Sequence, residues 1–153
     1  MSLLEKYMAN IENAIQKLAI DPKTCRTEQS YKWYLHRGNA DIVVFLRESS
    51  TFSENIRHTI VIASPILRID ESIGQNKYME LQAELLNINH KFIMERFSIE
   101  NGIVYITNTV YADEMDVNAL AFHLDSLSFY AQAFADDFAL RYGAKTTTTI
   151  PTA

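Results

Sequence analysis

Residues 91–112 read KFIMERFSIENGIVYITNTVYA. They place the dipeptide Asn101-Gly102 between two runs, 91–99 and 102–112, that are rich in aromatic and β-branched residues. Asn-Gly is the strongest short hairpin signal, because both central residues of a type I′ turn need a positive φ. The stretch therefore predicts two antiparallel strands with Asn101 and Gly102 at the tip of a tight turn.

A second group of strands is predicted upstream of this hairpin. Its three runs are 30–37, 41–49 and 58–69. Gly38-Asn39 marks a turn between the first two runs. The third run is apolar on both alternating faces, which predicts an internal strand. Pro65 lies within it and cannot donate a hydrogen bond to a neighbour, so a bulge or a strand end is expected there.

Two helices are predicted before the hairpin. Ser2 and Glu5 have the spacing of a capping box, which starts the first helix. Pro22 disfavours helical backbone in the residue before it, so the first helix is expected to stop there. Asn76 is the expected N-cap of a second helix over 76–89.

The last helix follows the hairpin and completes the predicted fold. Acids at 113–116 favour its positive end, and the helix is expected to reach about Arg141, with Gly143 as its C′ residue. The predicted order is α-β-β-β-α-β-β-α. Two groups of hairpin-linked strands imply an α+β fold with a single, mainly antiparallel sheet and helices packed on it. We expect one domain over 1–143 and a mobile tail over 144–153.

The segment 85–92, LLNINHKF, brings together four polar residues between apolar runs. Asn87 and Asn89 are expected to close the second helix, because Asn tolerates the left-handed conformation that ends helices. Lys91 would favour the negative end of the same helix. The alternative, a catalytic group that also uses His90, lacks a nucleophile nearby in the sequence. Helix-end chemistry is the favoured interpretation.

This junction and the elements after it resemble the bacterial YbjN-like family, described as sensory transduction regulators. The resemblance covers roughly residues 5–142. It rests on these elements: Asn87, Asn89, Lys91-Phe92, Asn101-Gly102, and Ala135-Asp136 within SFYAQAFADDFAL of the last helix. The family is similar in fold to type III secretion chaperones, small acidic proteins that commonly dimerise and bind extended segments of partner proteins. The resemblance implies a binding module without a cofactor, and it carries no catalytic residues.

The charge balance and the single cysteine limit the classes of function. The chain has 14 Lys and Arg against 19 Asp and Glu, for a net charge of -5. This argues against a nucleic-acid partner, which needs a basic surface. Cys25 is alone, which fits a reducing, cytoplasmic setting. No apolar run is long enough to predict a signal peptide or a membrane span.

No motif predicts catalysis or a metal site. The four histidines lack metal-binding spacing: His36, His58, His90 and His123. Arg26 beside Cys25 would lower the pKa of the thiol, but no catalytic partner accompanies it. Asp136 and Asp137 are adjacent on a helix and diverge by about 100°. The acids at 113–116 lack the spacing of a calcium loop. We therefore expect no catalytic residue, no metal and no cofactor, and the chain is predicted not to be an enzyme.

The second and last helices are apolar on two sides. In the last helix, a second stripe lies nearly opposite the one that suits the sheet. A similar second stripe is predicted on the second helix. The candidate partner-binding residues of these stripes are Met79, Leu86, Phe122, Phe129, Ala133 and Leu140. A helix that is apolar on two sides must be covered twice. The predicted cover is a second copy, giving a homodimer, or a protein partner; the alternative is the first helix of the same chain.

These observations favour a non-enzymatic, chaperone- or adaptor-like protein-binding module. The alternative is a regulatory domain that binds a small molecule between sheet and helices. The aromatic residues Tyr31, Trp33 and Tyr34 form either a stacking platform or part of the core. An exposed apolar surface would favour protein binding, and a deep pocket with converging polar groups would favour a small molecule.

Overall fold

A computed structural model describes residues 1–50, 53 and 55–142. Gly143 and the predicted tail, 144–153, lie outside the described residues. The elements are α1 Leu3–Lys17, α2 Pro22–Cys25, β1 Lys32–Arg37, β2 Ala40–Ser50, β3 Ile56–Arg68, α3 Gln75–Lys91, β4 Arg96–Glu100, β5 Ile103–Tyr111 and α4 Val117–Tyr142. Short 3₁₀ helices lie at Glu71–Ile73 and Ala112–Glu114.

The five strands form one antiparallel sheet in the order β1-β2-β3-β5-β4. The α+β fold and the internal position of β3 are confirmed. The register of β3 against β5 shifts between Pro65 and Leu67, so the predicted bulge is also confirmed. Pro65 has no N–H, and the bulge lets the strand continue past it.

The β4–β5 hairpin follows the Asn-Gly prediction. Glu100 pairs with Ile103, which leaves a loop of two residues. Asn101 has φ 52° and Gly102 has φ 74°, as the type I′ turn requires. Local sequence alone therefore sets the register of β4 on β5.

The helices pack on one face of the sheet and enclose the core. α4 packs against β3, β5 and β2, and α1 packs beside α4, while α3 lies against β4. The largest fully buried side chains include Trp33, Phe138, Ile11, Ile62 and Leu81. Trp33 thus belongs to the core, so the three predicted strand aromatics do not form one stacking platform.

The first helix begins as predicted and ends earlier than predicted. The Ser2 hydroxyl accepts from the Glu5 backbone N–H at 3.2 Å, and the Glu5 carboxylate accepts from the Ser2 N–H at 2.6 Å. α1 then ends at Lys17, and Ala19 takes φ 62°. The prediction that Pro22 stops this helix is wrong. Pro22 instead begins α2, because the first helical turn tolerates a residue without an N–H.

The second helix is longer than predicted at both ends, and the following strand is shorter. Gly74 precedes α3 as its N-cap residue, so Asn76 is not the cap. The helix continues through Asn87 and Asn89 to Lys91, and β4 begins only at Arg96. The prediction that the asparagines close this helix is therefore wrong.

Asn89 has a tertiary role instead. Its side-chain amide donates to the Phe97 carbonyl at 3.0 Å, and its carbonyl oxygen accepts from the Phe97 N–H at 2.6 Å. The Asn89 amide thus bonds the backbone N–H and carbonyl of Phe97 as a neighbouring strand would, on the side of β4 that faces away from β5. Asn89 thus occupies part of a sheet edge, where unpaired backbone groups favour association with other chains.

We expect Asn89→Ala to lower the free energy of unfolding by about 1–3 kcal/mol, because it leaves two backbone groups of Phe97 without partners. Urea unfolding measures the change. Asn87→Ala is the matched control, since Asn87 is exposed on the same helix. Equal stability of the two variants would contradict the role assigned to Asn89.

Candidate protein-binding surfaces

The second apolar stripe of the last helix is exposed. Phe122, Phe129 and Leu140 are 60%, 67% and 85% exposed, and Ala133 is also exposed. We call these four residues the α4 stripe. Their spacing of 7, 4 and 7 residues keeps them within about 40° of one line along about 27 Å of helix. α1 leaves them uncovered, so the alternative in which the first helix buries this stripe is wrong.

A second exposed stripe lies on α3 and just beyond it. Met79 and Leu86 are 58% and 69% exposed, as their spacing predicts for the far side of the helix. Ile93, seven residues after Leu86, is 89% exposed. Sequence analysis missed Ile93, because it placed this residue inside a strand. We call these three residues the α3 stripe.

Charged side chains join α3 to the end of α4. The Arg141 guanidinium donates to the Glu84 carboxylate, with Nη1 2.8 Å from Oε2. It also donates to the Asp137 carboxylate, with Nη2 2.7 Å from Oδ2. Arg141 lowers the pKa of Glu84. Burial, followed by the hydrogen bond to Glu84, raises the pKa of Tyr142 to about 12. The helices that carry the two exposed stripes are therefore held to each other at this point.

The face of the sheet that carries none of the described helices has a shallow trough. Val43, Val61 and Ala63 lie at its centre and are only 6–7% exposed, although the cavity above them is lined by strand residues alone. The larger side chains of Phe45 and Tyr105 flank this centre. The cavity measures about 320 Å³. We call this surface the open face.

A second cavity, of about 490 Å³, lies between α1 and the start of β1. Its polar groups are engaged with one another. Arg26 donates to Glu12 at 2.7 and 2.9 Å, and the Trp33 indole donates to the same carboxylate at 3.1 Å. Arg26 lowers the pKa of Glu12. The arrangement resembles a structural ion pair more than a set of free groups that converge on a ligand.

The titratable side chains are dispersed through the fold. His36 contacts Asp41, His58 lies 3.7 Å from Glu48, and His123 contacts the Asn108 amide at 2.8 Å. Within the described part of the chain, no group of three His, Cys, Asp or Glu residues is placed to hold a metal ion.

The remaining candidate groups for chemistry are also engaged elsewhere. Cys25 is buried, and burial raises the pKa of its thiol. Asp113 and Glu114 pair with Arg57 at 2.6 and 3.0 Å, whereas Asp116 caps α4 by accepting from the Ala119 N–H at 2.7 Å. The acids before the last helix thus bind a strand and cap a helix.

The fold matches solved complexes of secretion chaperones. A chain of the ExsC–ExsE complex aligns with a TM-score of 0.62 at 13% identity, over 89% of the present chain and 96% of the matched chain. The HopA1–SchA chaperone–effector complex aligns with a TM-score of 0.58 at 12% identity, over 85% and 93%. The ExoU–SpcU heterodimer of the type III secretion system of Pseudomonas aeruginosa gives 0.57 at 11% identity, over 82% and 95%.

The chain has the fold of the type III secretion chaperones. At these identities the likeness concerns the fold alone. No protein-family model and no curated protein matches the sequence. In the described residues, no helix combines the length and the apolar character needed to cross a membrane. The exposed stripes and the open face are the candidate protein-binding surfaces of this fold.

Proposed function

We propose that this chain is a non-enzymatic, chaperone- or adaptor-like module that binds another protein in the cytoplasm. The observation that carries the proposal is the pair of exposed apolar stripes on α3 and α4. Three of the four α4 stripe side chains are at least 60% exposed. Several large apolar side chains exposed along one side of a helix are typical of interaction sites. The chaperone complexes that share the fold support the same class of function.

The partner-binding residues in this proposal are the predicted ones, Met79, Leu86, Phe122, Phe129, Ala133 and Leu140. A second copy of the chain is the first proposed occupant, because a two-fold contact between long apolar stripes buries them on both copies at once. A specific interface buries roughly 800 Å² per partner. The α4 stripe runs along about 27 Å of its helix, and in this proposal the α3 stripe adds to the surface that two copies share.

A relation to the YbjN-like family, with its regulatory role, belongs to the same proposal. We also propose that residues 1–143 form one domain, since buried side chains of all four helices join those of the strands in one cluster. The second candidate function, a regulatory domain that binds a small molecule, is supported by the cavity beside Glu12 and Trp33. The mutual pairing of its polar groups makes it the weaker candidate.

A photo-crosslinking amino acid at position 129 tests protein binding. In living cells, we expect adducts with a second copy or a partner, because the side chain at this position projects from the α4 stripe. The same amino acid at position 56 is the control, since Ile56 is 65% exposed outside both stripes. Mass spectrometry identifies the adducts. Equal labelling from both positions, or none, would contradict the proposal.

A further inference from the structure

The open face is basic, although the chain is acidic. The whole sequence has 14 basic and 19 acidic residues. Strand register places these charged residues on the open face: Lys32, Arg47, Arg57, Arg68 and Arg96, with the acids Asp41 and Glu100. Arg57 is paired with Asp113 and Glu114 at one end of this face, so the rest of the face carries four basic residues and two acidic ones.

Two of these basic side chains border the trough and are available to a ligand. Lys32 and Arg47 line the cavity together with one acid, Glu100, so two cations border it against one carboxylate. The cationic groups of Lys32 and Arg47 lie 5.2 Å from the Tyr34 ring centre and 5.8 Å from the Phe45 ring centre. Among the described residues, neither has a carboxylate within ion-pair distance. Arg57 differs, because Asp113 and Glu114 neutralise it.

The trough suits apolar side chains of an added segment. Its floor is aliphatic, formed by Val43, Val61 and Ala63, and Phe45 and Tyr105 rise beside it. Adjacent strands are about 4.8 Å apart, so a helix about 10 Å wide would cover two or three of them. An occupant would place apolar groups on the floor and charged groups at the rim.

We propose that the open face binds an acidic, amphipathic segment of a partner protein, with its apolar side chains on the trough floor and its carboxylates at Lys32 and Arg47. This inference rests on the proposed function and adds a second surface to it, separate from the stripes. Charge complementarity identifies the chemistry of the partner, because opposite charge at the rim favours encounter and rejects basic segments.

The same observations weigh against two other occupants. Two open faces in a two-fold contact would bring like charges together, which disfavours a second copy in that arrangement. Single-stranded nucleic acid binds on aromatic rings on which bases stack, whereas the trough floor is formed by Val43, Val61 and Ala63. Both occupants remain outcomes that the experiment distinguishes.

Peptide selection tests the inference without a known partner. Random peptides of about 16 residues, about 24 Å as a helix, are displayed and selected on the immobilised full chain. We expect the selected peptides to be enriched in Asp and Glu together with Leu and Phe. The affinity of one selected peptide should fall roughly tenfold or more in the double variant Lys32→Glu/Arg47→Glu. It should also fall when NaCl rises from about 50 mM to about 500 mM.

The matched control is Lys6→Glu/Lys77→Glu, which makes the same change in net charge at exposed helical positions. It should leave the affinity unchanged, and circular dichroism verifies that both double variants fold. Selection of neutral or basic peptides overturns the inference, as does binding that the Lys32→Glu/Arg47→Glu variant does not affect.

The remaining outcomes separate this inference from the proposed function. If Phe129→Asp abolishes peptide binding and the open-face variant does not, the inference fails while protein binding by the stripes stands. A single-stranded oligonucleotide that displaces the peptide would assign the face to nucleic acid and overturn the inference. Light scattering that shows wild-type assemblies dissolved by Arg47→Glu would assign it to another copy, with the same consequence.

Discussion

Replacing Phe129 by aspartate is expected to weaken association of this protein about 30-fold or more and to leave its fold intact. Phe129 is 67% exposed at the middle of the α4 stripe, with its ring 5.6 Å from that of Tyr130. Burying a phenylalanine in an interface contributes about 1.5–3 kcal/mol, and the variant must also desolvate a carboxylate. A loss of about 2 kcal/mol corresponds to the stated factor.

Sedimentation equilibrium over a dilution series measures the association, and thermal unfolding measures the fold. Ile56→Asp is the control, because Ile56 is almost equally exposed, at 65%, outside both stripes. The control should keep the wild-type association constant. If Phe129→Asp unfolds the chain, the residue supports the monomer. If the variant keeps the wild-type mass and the wild-type partners, the α4 stripe is not an interface.

The fold could be predicted from sequence where the structural rules are local. The Asn101-Gly102 hairpin, the Ser2 capping box and the bulge at Pro65 each depend on a few adjacent residues. Apolar spacing of seven and four residues also located the exposed side of α4, because helical geometry is regular along its length. Whether that side is an interface stays a prediction.

Features that depend on tertiary contact could not be predicted in the same way. Asn89 reads as a helix-ending residue, and its interaction with Phe97 exists only once α3 lies against β4. Ile93 was placed inside the predicted strand 91–99, whereas in the structure it lies between α3 and β4. Propensity is a weak guide where a residue of another element completes the hydrogen bonds, as Phe97 of β4 does for Asn89 of α3.

The basic character of the open face was hidden in the overall charge. Lys32, Arg47 and Arg96 come from three different strands, with acidic residues between them in the sequence. Only the strand register assigns them to one face, since side chains alternate between the faces of a sheet. The net charge of -5 therefore describes the whole sequence but does not predict the charge of this surface.

Phe138→Ala is expected to lower the free energy of unfolding by about 3–5 kcal/mol. Phe138 is fully buried, and its ring centre lies 5.7, 5.4 and 6.0 Å from those of Phe97, Phe134 and Tyr142. Removing the ring leaves a cavity among side chains of α4 and β4. Chemical denaturation measures the loss.

Leu140→Ala is the matched control, two residues along the same helix. Leu140 is 85% exposed, so its truncation should change stability by no more than about 0.5 kcal/mol. The effects on association should be the reverse of the effects on stability. At a temperature where both variants are folded, Leu140→Ala should lower the association constant and Phe138→Ala should leave it close to wild type. The expected order rests on α4 having one face in the core and another that is exposed and proposed to contact a partner. A large loss of stability in Leu140→Ala would show that both sides of α4 support the monomer, and the interface assigned to the stripe would then be wrong.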